Sequence, residues 1–287
     1  MDYIIQNAHL KAVISSNGSE LRELIDKDGI NRMHIPNTNT WNRVSPILFP
    51  QISRMPNSEY MVNGETYNMT THGFIRDKES TLVNQTNNEI VFMYKSDNNT
   101  FKIYPYEFVL YVTYKLIDNI LEVNFKVENP SSKVLRYMLG GHPGFKVPLY
   151  DDEEYNDYSV VFEKAGILKR MLVVDGFLAN KYEDYSLVNR TIELQHSLFE
   201  NDALVFRNIS SNFVDIISKN HNKKIRFHFS DFEILALWSK IEENANLLCL
   251  EPWNGIQKDF VREHEKMGVL EVAPNSFSCH SFKIEVI

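Results

Sequence analysis

Two cysteines, Cys249 and Cys279, are too few for a disulfide framework, and neither belongs to a CxxC pair that would hold zinc. Long hydrophobic runs are missing as well. No window approaches the roughly 18 apolar residues of a spanning helix, and Met1-Asp2-Tyr3-Ile4-Ile5-Gln6-Asn7 lacks the basic and apolar regions of a leader. These absences point to reduced thiols and a cytoplasmic protein with no membrane partner, so triplets such as Asn68-Met69-Thr70 are chance matches to a glycosylation signal. Basic clustering is absent too. With a net charge of -8 and Lys and Arg scattered among Asp and Glu, nucleic acid is excluded as a partner. No G-x-S-x-G elbow, P-loop or G-x-G-x-x-G occurs, and helical periodicity is confined to the short stretch from Asp259 to Lys266.

What the chain does contain is strands. The turn pairs Asn17-Gly18, Asp28-Gly29 and Asn63-Gly64 each follow a short apolar run, the strongest local sign of a hairpin. Phe108, Leu110, Val112, Tyr114 and Leu116 fall on one face of a strand. After Asp118-Asn119, Leu121, Val123, Phe125 and Val127 do the same, so two long antiparallel strands bury one face and wet the other. Prolines 46 and 50 make residues 43–55 an irregular segment with its apolar side chains tucked inward, and the acidic run from Asp151 to Asp157 reads as a solvated loop. Strand-sized segments recur at 158–162, 203–206, 213–217, 225–229, 235–238, 247–251 and 282–286. No linker or fixed repeat interrupts them. The expectation is an all-β protein, a large antiparallel β-sandwich forming a single domain over residues 1–287.

Chemistry gathers at three places. Leu247-Leu248-Cys249-Leu250 reads as a strand buried on both faces, and it ends in Glu251, an ionisable group that burial penalises unless it is partnered. Pro252 is expected to stop the ladder there, leaving Glu251 where the strand opens into a loop. Taken alone, Glu251 reads as a salt-bridged or turn-capping carboxylate. His72 and His142 stand beside glycines, which let backbone or ligand approach closely. No His-x-His or His-x-x-x-His pair supports a metal site, and Cys249 lies too deep for a thiolate nucleophile. Acid/base work on a neutral polyhydroxy or carbonyl substrate remains. Trp238 or Trp253 offers an apolar face for sugar C–H groups, with core packing as the structural alternative.

Five ordered motifs carry a resemblance: His72-Gly73-Phe74-Ile75-Arg76-Asp77, Gly141-His142-Pro143-Gly144-Phe145, Phe199-Glu200-Asn201-Asp202-Ala203-Leu204, Ala236-Leu237-Trp238-Ser239-Lys240, and Leu250-Glu251-Pro252-Trp253-Asn254-Gly255. Together the chain resembles the aldose 1-epimerase (galactose mutarotase) family, and within it the LacX-like branch. The resemblance implies a galactose mutarotase-like supersandwich, a sugar cleft on one sheet, no cofactor and no metal. It places the base that takes the anomeric hydroxyl proton at Glu251, the acid that protonates the ring oxygen at His142, and an assisting histidine at His72. Sugar-binding roles fall on Asp202 and on Arg54, with Arg43 as a competitor for the latter. Phe74 and the Pro143-Gly144 pair depart from the galactose-specific pattern. The partner is therefore an aldohexose, free or phosphorylated, and a non-catalytic sugar-binding protein is the alternative. Arg76 is either a phosphate contact or a framework residue paired with Asp77. A monomer or homodimer fits equally.

Burial between Leu250 and Pro252-Trp253 should raise the Glu251 pKa, and a nearby carboxylate should let His142 hold a proton at neutral pH. Glu251 is expected to face His142 across a pocket one pyranose ring wide, with His72 on the wall between.

Overall fold

A computed structural model describes residues 1–242, 245–256 and 269–287, and over them the chain is built almost wholly of antiparallel strands. The alternation of side chains accounts for the longest pair. In Val109–Ile117 and Ile120–Asn129, Leu110, Val112, Tyr114, Leu116, Leu121, Val123, Phe125 and Val127 are all buried. Asp118 turns the chain between them with a φ of 49°. Asn63 and Gly64 join Glu59–Val62 to Glu65–Asn68 with φ of 51° and 84°, the two positive values a type I′ turn requires. Asn17-Gly18 lies between Leu10–Ser15 and Leu21–Asp26, which form a three-stranded sheet with Asp2–Gln6.

Two large sheets make the body of the molecule. The first runs, neighbour by neighbour, through Thr191–Glu193, Tyr158–Phe162, Phe213–Ser218, Ile225–His228, Ser276–Val286, Ile120–Asn129, Val109–Ile117, Glu89–Lys95 and Thr81–Gln85. The second runs through Phe177–Ser186, Ile167–Val174, Leu204–Arg207, Ile234–Trp238, Leu247–Asn254, Leu139–Gly141 and Ile47–Leu48, with Gly144–Lys146 also paired to Leu247–Asn254. They pack face to face: ring centroids of Phe162 and Phe206 are 6.2 Å apart, and those of Phe145 and Phe227 are 6.1 Å apart. The fold is the all-β antiparallel sandwich expected from the sequence. The hairpin of Ile167–Val174 and Phe177–Ser186 is an addition, turning at Asp175-Gly176. Its alternation is broken by a register shift between Met171 and Val173. The helical stretch expected at 259–266 lies outside the described residues. Among the described residues no helix is long and apolar enough to cross a membrane.

One expectation fails at the strand that matters most. Pro252 does not end it: Leu247–Asn254 continues, every residue buried, with Glu251 opposite Ala236 and Pro252 opposite Leu235. The reason lies on the other side. Gly140 pairs with Trp253 and Gly144 with Cys249, a register that sets Gly141, His142 and Pro143 opposite Pro252, Glu251 and Leu250, while the His142 N–H turns the other way to the Pro46 carbonyl at 3.0 Å. The Leu250 N–H points to that side, donating to the Pro143 carbonyl at 3.1 Å, so the donor that Pro252 lacks is missing only toward Gly141, between the two paired stretches, and pairing with Leu235 on the other side continues.

Candidate active site

Period-2 alternation sets what Leu247–Asn254 shows to each side. Leu248 and Leu250 join the main core, whereas Leu247 and Cys249 pack against Trp41 and Trp238 on the opposite face. Glu251 shares that face and opens into a cavity of about 290 Å³. His72, His142, Arg54 and Asp202 line the same cavity, so all five residues singled out in the sequence converge there. Arg43 is not among the lining residues; it pairs with Asp77 at 2.6 Å. Arg76 lines the cavity, and its Nε also lies 3.7 Å from Asp77.

The distance between the two principal groups differs from the expectation. His142 Nε2 lies 3.1 Å from Glu251 Oε1, so the pair is in contact rather than separated by a ring's width. The strand register causes this: with Gly140 opposite Trp253 and Gly144 opposite Cys249, His142 falls directly across from Glu251. His72 stands beside them, its ring centroid 5.7 Å from that of His142. The Ser53 N–H donates to His72 Nδ1 at 3.2 Å, which leaves the hydrogen of the neutral imidazole on Nε2. Ser53, His72 and Asp202 all hold left-handed backbone, with φ of 63°, 65° and 72°. Strain of this kind collects where side chains must be aimed.

Burial decides the charges. It raises the Glu251 carboxyl well above its usual range, Asp202 adds to the rise, and the nearby Trp253 indole opposes it. Burial holds the His142 imidazole well below its ordinary value, helped by His72, Arg76 and Arg43 and opposed by its own backbone. The carboxylate beside His142 therefore does not charge it. Both directions favour the neutral forms, so the one proton of the pair rests on the carboxyl side of the contact. Burial, with Arg76, Arg43 and Arg54, brings His72 down to about 3.

These directions fix how stability varies with acidity. Below about 6.5 the unfolded chain takes up protons on His72 and His142 that the folded chain refuses. Stability should fall as pH drops from there toward 3. Glu251 acts in reverse, keeping a proton that the unfolded chain releases above about 4.5, so its contribution fades as pH rises. Between those values two histidines outweigh one carboxyl. His72→Asn should flatten the acid limb by roughly 1 kcal/mol per pH unit, trimmed because the ring is partly open to the cavity. Urea unfolding across a pH series measures it; an unchanged slope would contradict the assignment of His72 as neutral.

Unpaired polar atoms point the same way. Of seven buried side-chain atoms without a hydrogen-bond partner among the described residues, four belong to cavity residues: Arg76 Nε, His142 Nδ1, Glu251 Oε2 and Trp253 Nε1. Buried polar groups are otherwise nearly always satisfied, so this cavity is built for a polar occupant.

A family model described as aldose 1-epimerase matches residues 1–268. The chain belongs to the aldose 1-epimerase family. It is 29% identical to protein LacX (plasmid) of Lactococcus lactis subsp. lactis over 295 residues, covering 99% of this chain and 98% of that one. A galactose mutarotase related enzyme from Lactobacillus acidophilus shares its fold with a TM-score of 0.96 at 30% identity, covering 100% of this chain and 97% of the other. A galactose mutarotase-like protein from Lactobacillus casei ATCC 334 gives a TM-score of 0.93 at 28% identity, with both chains covered in full.

Within this aldose 1-epimerase family chain, the glycines beside the histidines do not clear space for a ligand. A Cβ on Gly73 would lie 2.2 Å from the Phe49 carbonyl oxygen, one on Gly141 2.8 Å from Phe282, and one on Gly144 2.7 Å from Trp41. They make room for the protein itself. Trp238 and Trp253 both line the cavity, as does Trp41, which escapes the sequence reading. Ser53, Thr71, Lys240 and Gly176 escape it too. Gly176 had a visible sign, the Asp175-Gly176 pair between Val173-Val174 and Phe177-Leu178, and Lys240 ends the motif Ala236-Leu237-Trp238-Ser239-Lys240, where it was given no role; the others have no sign in their local sequence.

Proposed function

We propose that this member of the aldose 1-epimerase family interconverts the α and β anomers of an aldohexose by acid/base ring opening, with Glu251 as base and His142 as acid. The observation that carries the reading is the contact of His142 Nε2 with Glu251 Oε1 at 3.1 Å inside a cavity, with Glu251 Oε2 left unpartnered. Ring opening removes one proton from the anomeric hydroxyl and adds one to the ring oxygen. A pair holding a single proton matches that stoichiometry.

Productive binding inserts the anomeric edge of the sugar between the two groups and parts them, the proton that burial keeps on the Glu251 carboxyl passing to His142 as the carboxylate turns to the anomeric hydroxyl. Apo contacts of catalytic groups commonly rearrange in this way when substrate arrives. Glu251 then takes the hydroxyl proton, the electron pair of that O–H forms the C1 carbonyl, the bond from C1 to the ring oxygen breaks, and His142 delivers its proton to that oxygen. Rotation about the C1–C2 bond and the reverse steps give the other anomer. His72, neutral with hydrogen on Nε2, donates to the ring or an adjacent hydroxyl oxygen. Asp202 on the rim accepts from sugar hydroxyls. The two proton transfers contribute about 10²- to 10⁴-fold each, enough for a reaction that proceeds unaided in water, with no cofactor required.

A second reading concerns the substituent on the sugar. Arg54 and Lys240 line the cavity, each 6.0 Å from an aromatic ring centroid, Phe177 and Trp238 respectively, and neither forms a salt bridge among the described residues. Unpaired cations at the wall favour an anionic group such as a hexose 6-phosphate. One experiment tests both: exchange spectroscopy between anomers over free hexoses and hexose 6-phosphates. Faster exchange with a free or phosphorylated hexose supports epimerisation and names the class; binding without faster exchange would leave a sugar-binding protein in its place.

A further inference from the structure

Trp41 takes part in neither proton transfer, yet its indole stacks on His142, ring centroids 4.9 Å apart and planes 28° apart. Trp238 meets the same imidazole edge-on at 5.6 Å and meets Trp41 at 5.7 Å. The two indoles bound His142 on its face and its edge, and Nε2 is aimed at Glu251. Trp41 is itself anchored, its carbonyl accepting from His34 Nε2 at 3.1 Å and from the Asn37 N–H at 2.9 Å. Beneath the indole lies Gly144. A Cβ there would sit 2.7 Å from Trp41 Cζ3 and 3.1 Å from the Val44 carbonyl oxygen, so no other residue lets the indole take this place without a shift.

We infer that Trp41 is a positioning residue for His142, its indole fixing the plane of the imidazole so that Nε2 stays directed at Glu251, and that Gly144 is glycine because the indole occupies the space above it. Groups held by packing of this kind keep their aim, whereas a polar side chain on a loose wall does not. Only its effect on turnover rests on the epimerase reading. The titratable and charged groups that act on His142 are Glu251, His72, Arg76 and Arg43, and Trp41 adds no charge among them. Its influence is steric and through exclusion of water from the ring face.

The test is nitrogen-15 NMR of the His142 imidazole in ligand-free protein across the neutral and acidic range, for wild type, Trp41→Phe, Trp41→Ala and Gly144→Ala. In Trp41→Ala the Nε2 resonance should lose its hydrogen-bonded character and the ring should titrate at higher pH, while Trp41→Phe keeps most of the wild-type pattern. Gly144→Ala should reproduce the Trp41→Ala spectrum and change nothing further when added to it. In turnover, Trp41→Ala should lower kcat for anomer exchange by roughly tenfold with KM within about twofold. A wild-type His142 spectrum and titration in Trp41→Ala would overturn the inference even if that variant melts earlier, because a purely structural indole would move stability alone. Should the wild-type protein show no anomer exchange, the epimerase reading falls while the spectra still decide the role of Trp41.

Discussion

Glu251→Gln should slow anomer exchange by at least about a hundredfold while leaving the fold intact. Glutamine preserves the volume and a hydrogen bond to His142 but cannot receive a proton, and it removes an ionisable group from a site that is 2% exposed. The variant should therefore be at least as stable as wild type above neutral pH, where the buried carboxyl of the wild type is under pressure to ionise. His142→Asn should lose a similar factor. Because the two groups hold one proton between them, the double variant should be scarcely worse than either single one. Exchange rates on the best sugar measure all three. A Glu251→Gln rate near that of wild type, or losses that multiply in the double variant, would remove the pair from the mechanism.

Gly73→Ala should destabilise the protein by at least about 3 kcal/mol, among the largest effects a single methyl can have. Gly73 holds a φ of 74°, and the Cβ would lie 2.2 Å from the Phe49 carbonyl oxygen and 2.4 Å from its carbon. That carbonyl accepts from the Phe74 and Ile75 N–H groups at 3.1 and 3.3 Å, so it has nowhere to move without losing both bonds. Gly64 supplies the control. Its φ is 84° but a Cβ would meet nothing within 4 Å, so Gly64→Ala should cost only about 1 kcal/mol, the ordinary penalty for a left-handed alanine. Urea unfolding of the two variants compares them directly. A Gly73→Ala loss no greater than that of Gly64→Ala would mean the Phe49 segment yields more easily than its hydrogen bonds imply.

The sandwich was legible where one face of a strand is wet, because alternation then appears in the residues themselves: Leu121, Val123, Phe125 and Val127 against Glu122, Asn124, Lys126 and Glu128. Legibility failed at the Ile167–Val174 hairpin, where a register shift breaks the alternation and several apolar residues, Ile167 and Val174 among them, remain exposed. In the site, the four residues marked by motifs, His72, His142, Asp202 and Glu251, converge on one cavity together with Arg54. Their spacing was not legible. Whether His142 touches Glu251 depends on the register that sets Gly140 against Trp253 and Gly144 against Cys249, and a register between segments this far apart leaves no trace in Gly141-His142-Pro143. Trp41 was missed for a related reason: it reaches the cavity only through packing against residues distant in sequence, His142 and Trp238.

All three tryptophans of the chain, Trp41, Trp238 and Trp253, line the same cavity. The tryptophan fluorescence of the folded protein, excited selectively at the red edge of the absorption band, is thus emitted entirely from the walls of its candidate active site. A sugar entering there alters the surroundings of every emitter at once, and a ligand bound elsewhere on the sandwich alters none directly. An unlabelled library of sugars can therefore be screened by emission alone, before any assay of turnover exists.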